Sequence, residues 1–587
     1  MTPTDDPFAH LHDEGYAHRY SRDWAGWRDL VDPAGRPALS LDGEWRFTLD
    51  PFDEGLRQRW YALDEAPPGE WELPRDYDPE GADKVPVPSC WNMLRPEWRY
   101  YEGGAWYSRL FEALPPAGAC AILRVGAANY AARVLLNGRF VGAHRGGSTP
   151  FCLDVTAALR GGRNRLMIHV ENARRADRVP MSHFDWFNYG GIHRGVSLLF
   201  LPAVHIRSFG VGLAPAGDAI QVEVELSQPV DGTARLKVAE LGIDAGIPVR
   251  GGCGSATIAA RPEFWSPSIP RLYDVELTCG GDRVADRIGF RRIAVEGHAI
   301  LLNGAPIRLR GACVHEDDVV HGRVSGEADI RRRFADLKAL GGNFLRLAHY
   351  PHDERVARLA DEEGVLLWAE IPVYWAIDFG NPDTLADADN QLRELIRRDR
   401  NRASVVIWGV GNENADTDRR YRFMAALADA ARDADPSRLV SAACLINRET
   451  FRLEDRLAAK LDVIGLNEYF GWYERDVGNL ARLLANSNPG KPVIVSETGA
   501  DALAGLHAND GSLFSEERQA GFYRDQFAVL RDCAFVQGLA ALLLYDFRSE
   551  RRQTRFQRGW NRKGLIAQDK RTRKAAFAAL RDAWRDW

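Results

Sequence analysis

The sequence predicts a multidomain β and α/β chain: a jelly-roll β-sandwich, an immunoglobulin-like β-sandwich, then a (β/α)8 barrel of the TIM type. Three observations carry this. A chain of 587 residues is too long for a single core. From about residue 40 to 296, short alternating runs sit between turn residues with no helical period. After about residue 297, helical stretches alternate with short apolar runs, the pattern of a parallel sheet wrapped in helices.

In the first part, assigned to residues 1–203, the clearest strands are "LDGEWRFTL" (41–49), "CAILRVGAA" (120–128), "YAARVLLNGRFVGAH" (130–144) and "NRLMIHVEN" (164–172). The Asn137-Gly138 pair between apolar runs is a hairpin signal. Residues 204–296 continue in smaller units such as "IQVEVELS" and "RLYDVELTC", the size of one immunoglobulin-like sandwich. The third part, 297–587, holds eight strand candidates: 307–313, 343–348, 364–370, 404–410, 438–444, 462–467, 492–497 and 538–547. Eight strands with intervening helices over this length fit a closed barrel. A doubly wound sheet competes, but no glycine-rich phosphate loop follows the first strand.

Composition narrows the function. A net charge of −6 with no basic block points away from nucleic acid and anionic membranes. No apolar run approaches the roughly 18 residues needed to span a bilayer. The stretch "MTPTDDPFAHLHDEGYAHRY" has no apolar core, so no export signal is expected. The eight cysteines are dispersed, without Cys-x-x-Cys or His-ligand spacing, and read as buried small hydrophobes in a reducing cytoplasm. Abundant Arg and Ala suggest a GC-rich bacterial genome. Seventeen tryptophans can stack on sugar faces, but core filling explains them equally simply.

In a barrel of this kind, residues just past the strand C-termini line the active face. Glu413, in "WGVGNEN", follows the fourth strand, and Glu497, in "VIVSETGAD", ends the seventh. Either alone could cap a helix. Together they suit glycoside hydrolysis by double displacement, in which one carboxylate attacks ionised while its partner keeps a proton for the leaving oxygen. Asn412 is placed to offer an amide to a sugar 2-hydroxyl.

The segments "LDGEWRF", "NYGGIHRGV" (188–196), "HEDD" (315–318), "LRLAHYP" (345–351), "GNE" (411–413) and "SETG" together resemble glycoside hydrolase family 2, over roughly residues 40 to 585. The resemblance implies a jelly-roll, an immunoglobulin-like domain and a catalytic barrel that cleaves β-glycosides with retention. It implies Glu413 as acid/base and Glu497 as nucleophile, with no metal or other cofactor. "QRGWNRKGL" (557–565) contains Asn561 and Lys563, which match the Asn-x-Lys motif of the β-glucuronidases in this family. There both side chains bind the C6 carboxylate of a uronic acid. A buried carboxylate is costly to desolvate unless it meets a cation and hydrogen-bond donors. The same nine residues read alone are an exposed turn.

The same resemblance makes Asp185, in "DWFNYGGIHRG", a ligand of a sugar hydroxyl, and makes Tyr469 and Tyr473, in "LNEYFGWY", pocket residues. Their bland alternatives are a surface acid and plain core. His349 is implied as a sugar ligand, with packed core as its alternative, and Arg346 beside it as a group that orients the nucleophile by charge. Tyr374 and Trp375 offer a stacking platform or simple packing. The chain departs from the glucuronidase pattern at Gly411 and Asn414 around the acid/base, at Thr498, at Leu542, and at Gln557, where Arg stands four residues before the Asn; Arg558 follows one place on. These bear on the pocket floor and on which uronic acid is taken.

The expected activity is thus a retaining exo-β-glucuronidase acting on a β-linked uronic acid glycoside or oligosaccharide. A β-galacturonidase, a neutral-sugar β-galactosidase and a non-catalytic sugar-binding protein are the alternatives. The resemblance also implies a homo-oligomer.

Overall fold

The computed structural model describes residues 24–62 and 77–587; the N-terminal stretch read for an export signal lies outside them. A four-stranded sheet (38–40, 191–202, 119–129, 151–154) faces a six-stranded sheet (83–87, 43–50, 104–113, 162–171, 131–136, 139–145) across one apolar core. The Asn137-Gly138 turn joins Ala131–Leu136 to Arg139–Arg145, with positive φ at both residues (52° and 79°), as a tight hairpin requires.

The second sandwich is a seven-stranded ladder covering 206–288. Strand Ala219–Leu226 alternates buried and exposed positions, so one face builds the core and the other meets solvent. The two faces join through the 243–250/253–259 hairpin, which is only two residue pairs long. A three-stranded meander (293–306) then leads into the barrel, and its Ile300 and Leu302 pack in one cluster with the barrel residues Leu309, Phe344 and Leu366.

Eight parallel strands close the barrel in chain order: β1 Leu309–Val314, β2 Phe344–Leu347, β3 Leu366–Glu370, β4 Val405–Asn412, β5 Leu439–Cys444, β6 Val463–Asn467, β7 Val493–Thr498 and β8 Val536–Ala541. Each of the eight expected segments contributes one strand, in the expected order, with one correction. The eighth strand was expected to run 538–547, but its ladder ends at Ala541. Beyond it, Leu543 donates to Lys563 O and Leu544 to Cys313 O, and Phe547–Arg548 pairs antiparallel with Trp560–Asn561. The apolar run continues because these residues are buried under loops.

Inside the barrel, Trp368 from β3 fills the axis below the active face. Gly409 of β4 and Gly465 of β6 make room for it: a Cβ would lie 2.2 Å from Trp368 Nε1 at the first and 2.9 Å from the indole at the second. The Trp368 ring in turn supports the Arg346 guanidinium, 5.2 Å above its centroid. The cysteines are all unpaired; most are buried as expected, but Cys253 is exposed, on the outward face of an alternating strand. No helix among the described residues is long and apolar enough to cross a membrane.

Candidate active site

Glu413 and Glu497 both emerge at the C-terminal ends of barrel strands, in different surroundings. Glu413 follows β4 with φ of 52°, a left-handed conformation that costs a non-glycine residue about 1–3 kcal/mol. Its Oε1 accepts from Asn467 Nδ2 at 3.0 Å, and its Oε2 accepts from Trp375 Nε1 at 2.8 Å. Burial, followed by the charge of Glu497, raises its pKa, so this carboxyl holds its proton more firmly than an ordinary glutamate.

Glu497, on β7, faces cationic and hydroxyl donors instead. Oε1 accepts from Arg346 Nη1 at 2.7 Å and lies 3.4 Å from His349 Nε2. Oε2 accepts from the Tyr469 hydroxyl at 2.6 Å. These contacts aim the carboxylate through three partners. Two similar acids thus sit in different surroundings, Glu413 against an amide and an indole and Glu497 against a guanidinium, an imidazole and a phenol.

Arg346, fully buried on β2, ties the two halves together. Besides Glu497, it donates to Asn412 Oδ1 at 2.8 Å and grips Glu370 with two bonds of 2.9 and 3.0 Å. Glu370, the last residue of β3, also lies 2.8 Å from His349 Nδ1. Burial alone would raise the Glu370 pKa; Arg346 and His349 outweigh it and hold the group ionised. Asn467, ending β6, bridges Asn412 Oδ1 and Glu413, while its own oxygen accepts from Ser496. Among the described residues, Asn412 Nδ2 is buried without a hydrogen-bond partner.

A second cluster lies beside the first. Lys563 is completely buried, so the exposed-turn reading of "NRKG" does not hold. Its ammonium donates to Asp501 Oδ2 at 2.7 Å and to the Tyr473 hydroxyl at 2.9 Å, and stands 4.9 and 5.8 Å from the Tyr473 and Tyr469 ring centres. Burial opposes its charge, but Asp501 and Tyr473 raise the pKa and keep it protonated. Asn561, also buried, accepts from the Lys563 backbone N–H at 3.2 Å. Gln557 donates to Asp501 Oδ1 at 3.0 Å, and Arg558 turns outward to the Arg555 carbonyl.

Asp185 reaches this cluster from the jelly-roll side, accepting from Ser549 and from Arg552 in a forked pair. Arg552 also donates to the Tyr473 hydroxyl at 2.9 Å. Every residue singled out from the sequence, Asp185, His349, Asn412, Glu413, Tyr469, Tyr473, Glu497, Asn561 and Lys563, falls within this one connected set. Tyr473 is half exposed rather than core. Tyr374 is packed against Trp186 and His349, whereas Trp375 bonds Glu413 and carries Arg551 over its ring at 4.7 Å. Thr498 and Leu542 are buried, with the Leu542 N–H donating to Thr498 O at 2.8 Å.

Sequence reading missed Glu370, Asn467, Asp501 and Arg552. The first two carry the same signal as the catalytic candidates, a polar residue ending an apolar barrel strand. As for metals, among the described residues Asp50, Asp53 and His169 bring ligand atoms within 4.8 Å of one another, in the first sandwich. Asp50 already accepts from the Glu54 and Gly55 N–H groups and from Trp106.

Residues 293–586 match the family model described as glycosyl hydrolases family 2, TIM barrel domain, and residues 39–202 match the family 2 sugar binding domain. A β-glucuronidase of Paenibacillus borealis is 30% identical over 94% of this chain and 98% of its own. Among solved structures, a β-glucuronidase from an uncultured Clostridium superposes with a TM-score of 0.83 at 28% identity, covering 95% of this chain and 99% of that one. A Ruminococcus gnavus β-glucuronidase in complex with D-glucuronic acid gives 0.82 at 27% identity, covering 95% and 100%.

Proposed function

The chain belongs to glycoside hydrolase family 2, and from that premise we propose that it is a retaining, exo-acting β-glucuronidase. In this reading Glu497 attacks the anomeric carbon while Glu413 gives its proton to the departing oxygen, forming a glycosyl-enzyme. Glu413 then takes a proton from water, which attacks the same carbon and releases the sugar with its configuration retained. Asn412 Nδ2, unpaired among the described residues, donates to the sugar 2-hydroxyl, a contact that strengthens in the oxocarbenium-like transition state. Asp185 and His349 bind sugar hydroxyls, and Asn561, Lys563 and Tyr473 receive the C6 carboxylate.

The observation that carries the sugar assignment is the buried Lys563 ammonium, joined through the adjoining Tyr473 and Tyr469 rings to the Glu497 carboxylate. A cation fully removed from water beside the nucleophile suits a ligand that brings a negative charge. Initial rates on matched aryl β-D-glucuronide, β-D-galacturonide and β-D-galactoside test it, for the wild type and Lys563→Ala. The wild type is expected to prefer the glucuronide, and Lys563→Ala to lose roughly 30-fold or more of that activity, as for a truncated buried charge contact. Equal activity of the wild type on the galactoside overturns the assignment, and preference for the galacturonide renames the enzyme.

The pH profile follows from Glu413. A general acid works while protonated, so activity is lost as pH rises through its pKa, which is raised here. Asn467 donates to the ionised form and holds that pKa down, so Asn467→Ala is expected to move the alkaline limb of kcat/KM to higher pH. A limb that stays in place or moves down would assign that limb to another group.

The unpaired cysteines suit a reducing compartment, and we place the enzyme in the cytoplasm of a bacterium, as a homo-oligomer.

A further inference from the structure

We propose that Arg552 is a specificity-determining residue: the second cation of the carboxylate-binding end, supplied from outside the Asn-x-Lys motif. This rests on the glucuronidase reading and adds a residue that the motif does not contain.

The charges around Lys563 require one. Asp501 accepts from Lys563 at 2.7 Å, and Asp185 lies on the other side of Tyr473. Lys563 alone against two aspartates leaves the cluster net negative, which repels a uronate. Arg552 restores the balance. Its forked bonds fix Asp185, and its remaining Nη1 donates to the Tyr473 hydroxyl at 2.9 Å. Lys563 Nζ donates to the same oxygen at 2.9 Å, so the two cationic nitrogens are no more than about twice that distance apart. That separation suits two donors converging on one carboxylate.

The neighbouring cations in the sequence are spent elsewhere. Arg562 donates to Gln568 at 2.5 Å and lies 3.6 Å from Asp546, and Arg558 is exposed and bonded to the Arg555 carbonyl. Arg551 is exposed over Trp375. Arg552 is the cation of this loop that meets Tyr473, and Asp185 from the sandwich holds it there.

A purely structural tie between the loop and the sandwich is the competing account, and substrate selectivity separates the two. Aryl β-D-glucuronide and β-D-glucoside differ only at C6. Arg552→Gln is expected to lower kcat/KM on the glucuronide roughly 30-fold or more, mainly through KM, and to lower the glucoside rate, where only the fixing of Asp185 is lost, by clearly less. Arg552→Lys, which keeps the charge, is expected to recover most of the loss. Where the glucoside is too slow to follow, competition by free D-glucuronate and D-glucose reads the same selectivity. Parallel losses on both sugars without rescue by lysine, or an unchanged glucuronide rate in Arg552→Gln, overturn the proposal. A wild type that shows no preference for the glucuronide overturns the glucuronidase reading and this proposal together, a result visible before any variant is made.

Discussion

Replacing Glu497 with alanine is expected to lower turnover of an aryl β-glucuronide by roughly 10⁴-fold or more, the scale of losing a covalent nucleophile. The fold should survive. Arg346 loses one counter-ion but keeps both bonds to Glu370, so no unpaired cation is left in the barrel. Substrate affinity should change little, because the Lys563 cluster that holds the far end of the sugar is untouched. A second measurement distinguishes a missing nucleophile from a damaged site. The truncated side chain leaves room for azide, which can attack the anomeric carbon from the same face and give the α-glycosyl azide. Glu413 still protonates the departing oxygen. Recovery of activity with azide, and an inverted product, identify Glu497 as the attacking group. An alanine variant that hydrolyses at the wild-type rate removes the double-displacement mechanism.

That Glu497 could be picked out of the sequence at all reflects the barrel's regularity. Each strand is a short apolar run, and the residue ending it is delivered to one face. Glu413 and Glu497 announce themselves by position, whereas the Asn-x-Lys pair is legible only through its resemblance to the family motif. Glu370 and Asn467 end strands in the same way, but nothing in a linear reading says that Glu370 meets Arg346 rather than solvent. Arg552 was less legible still. It lies in "SERRQTRFQRG", where four arginines share one polar loop, and which of them turns inward depends on Asp185, more than 360 residues away. The end of β8 was misread for a different reason. Apolar runs report burial, not ladder pairing, and Leu542 to Leu544 stay buried after the ladder stops, their N–H groups taken by Thr498 of β7, Lys563 and Cys313 of β1. Thr498 and Leu542, where the chain departs from the glucuronidase pattern, are both buried.

Glu370→Gln is expected to be the most damaging change outside the two reacting carboxylates. The substitution preserves shape, so its effect reports charge. In the native protein Arg346 divides its guanidinium between Glu370 and Glu497, with Glu370 taking Nε and Nη2 and Glu497 taking Nη1. With Glu370 neutral, the whole cationic charge falls to Glu497. That stabilises the ground-state carboxylate more than the ester it becomes in the glycosyl-enzyme, and raises the barrier to attack. His349 loses the anion that sits 2.8 Å from its Nδ1 and with it the hold on its orientation. The expected result is a fall of roughly 10²–10³-fold in kcat with a smaller change in KM, corresponding to about 3–4 kcal/mol of lost transition-state stabilisation. Breaking one side of a buried ion pair also typically costs about 3–5 kcal/mol of stability, so the variant should unfold at lower denaturant. Glu370→Asp separates the two effects. It keeps the charge at a shorter reach, and should restore more of the stability than of kcat if Arg346 must be held in register for Glu497 to react. A Glu370→Gln enzyme with wild-type kcat would reduce Glu370 to a packing residue and leave Arg346, His349 and Tyr469 to orient Glu497 without it.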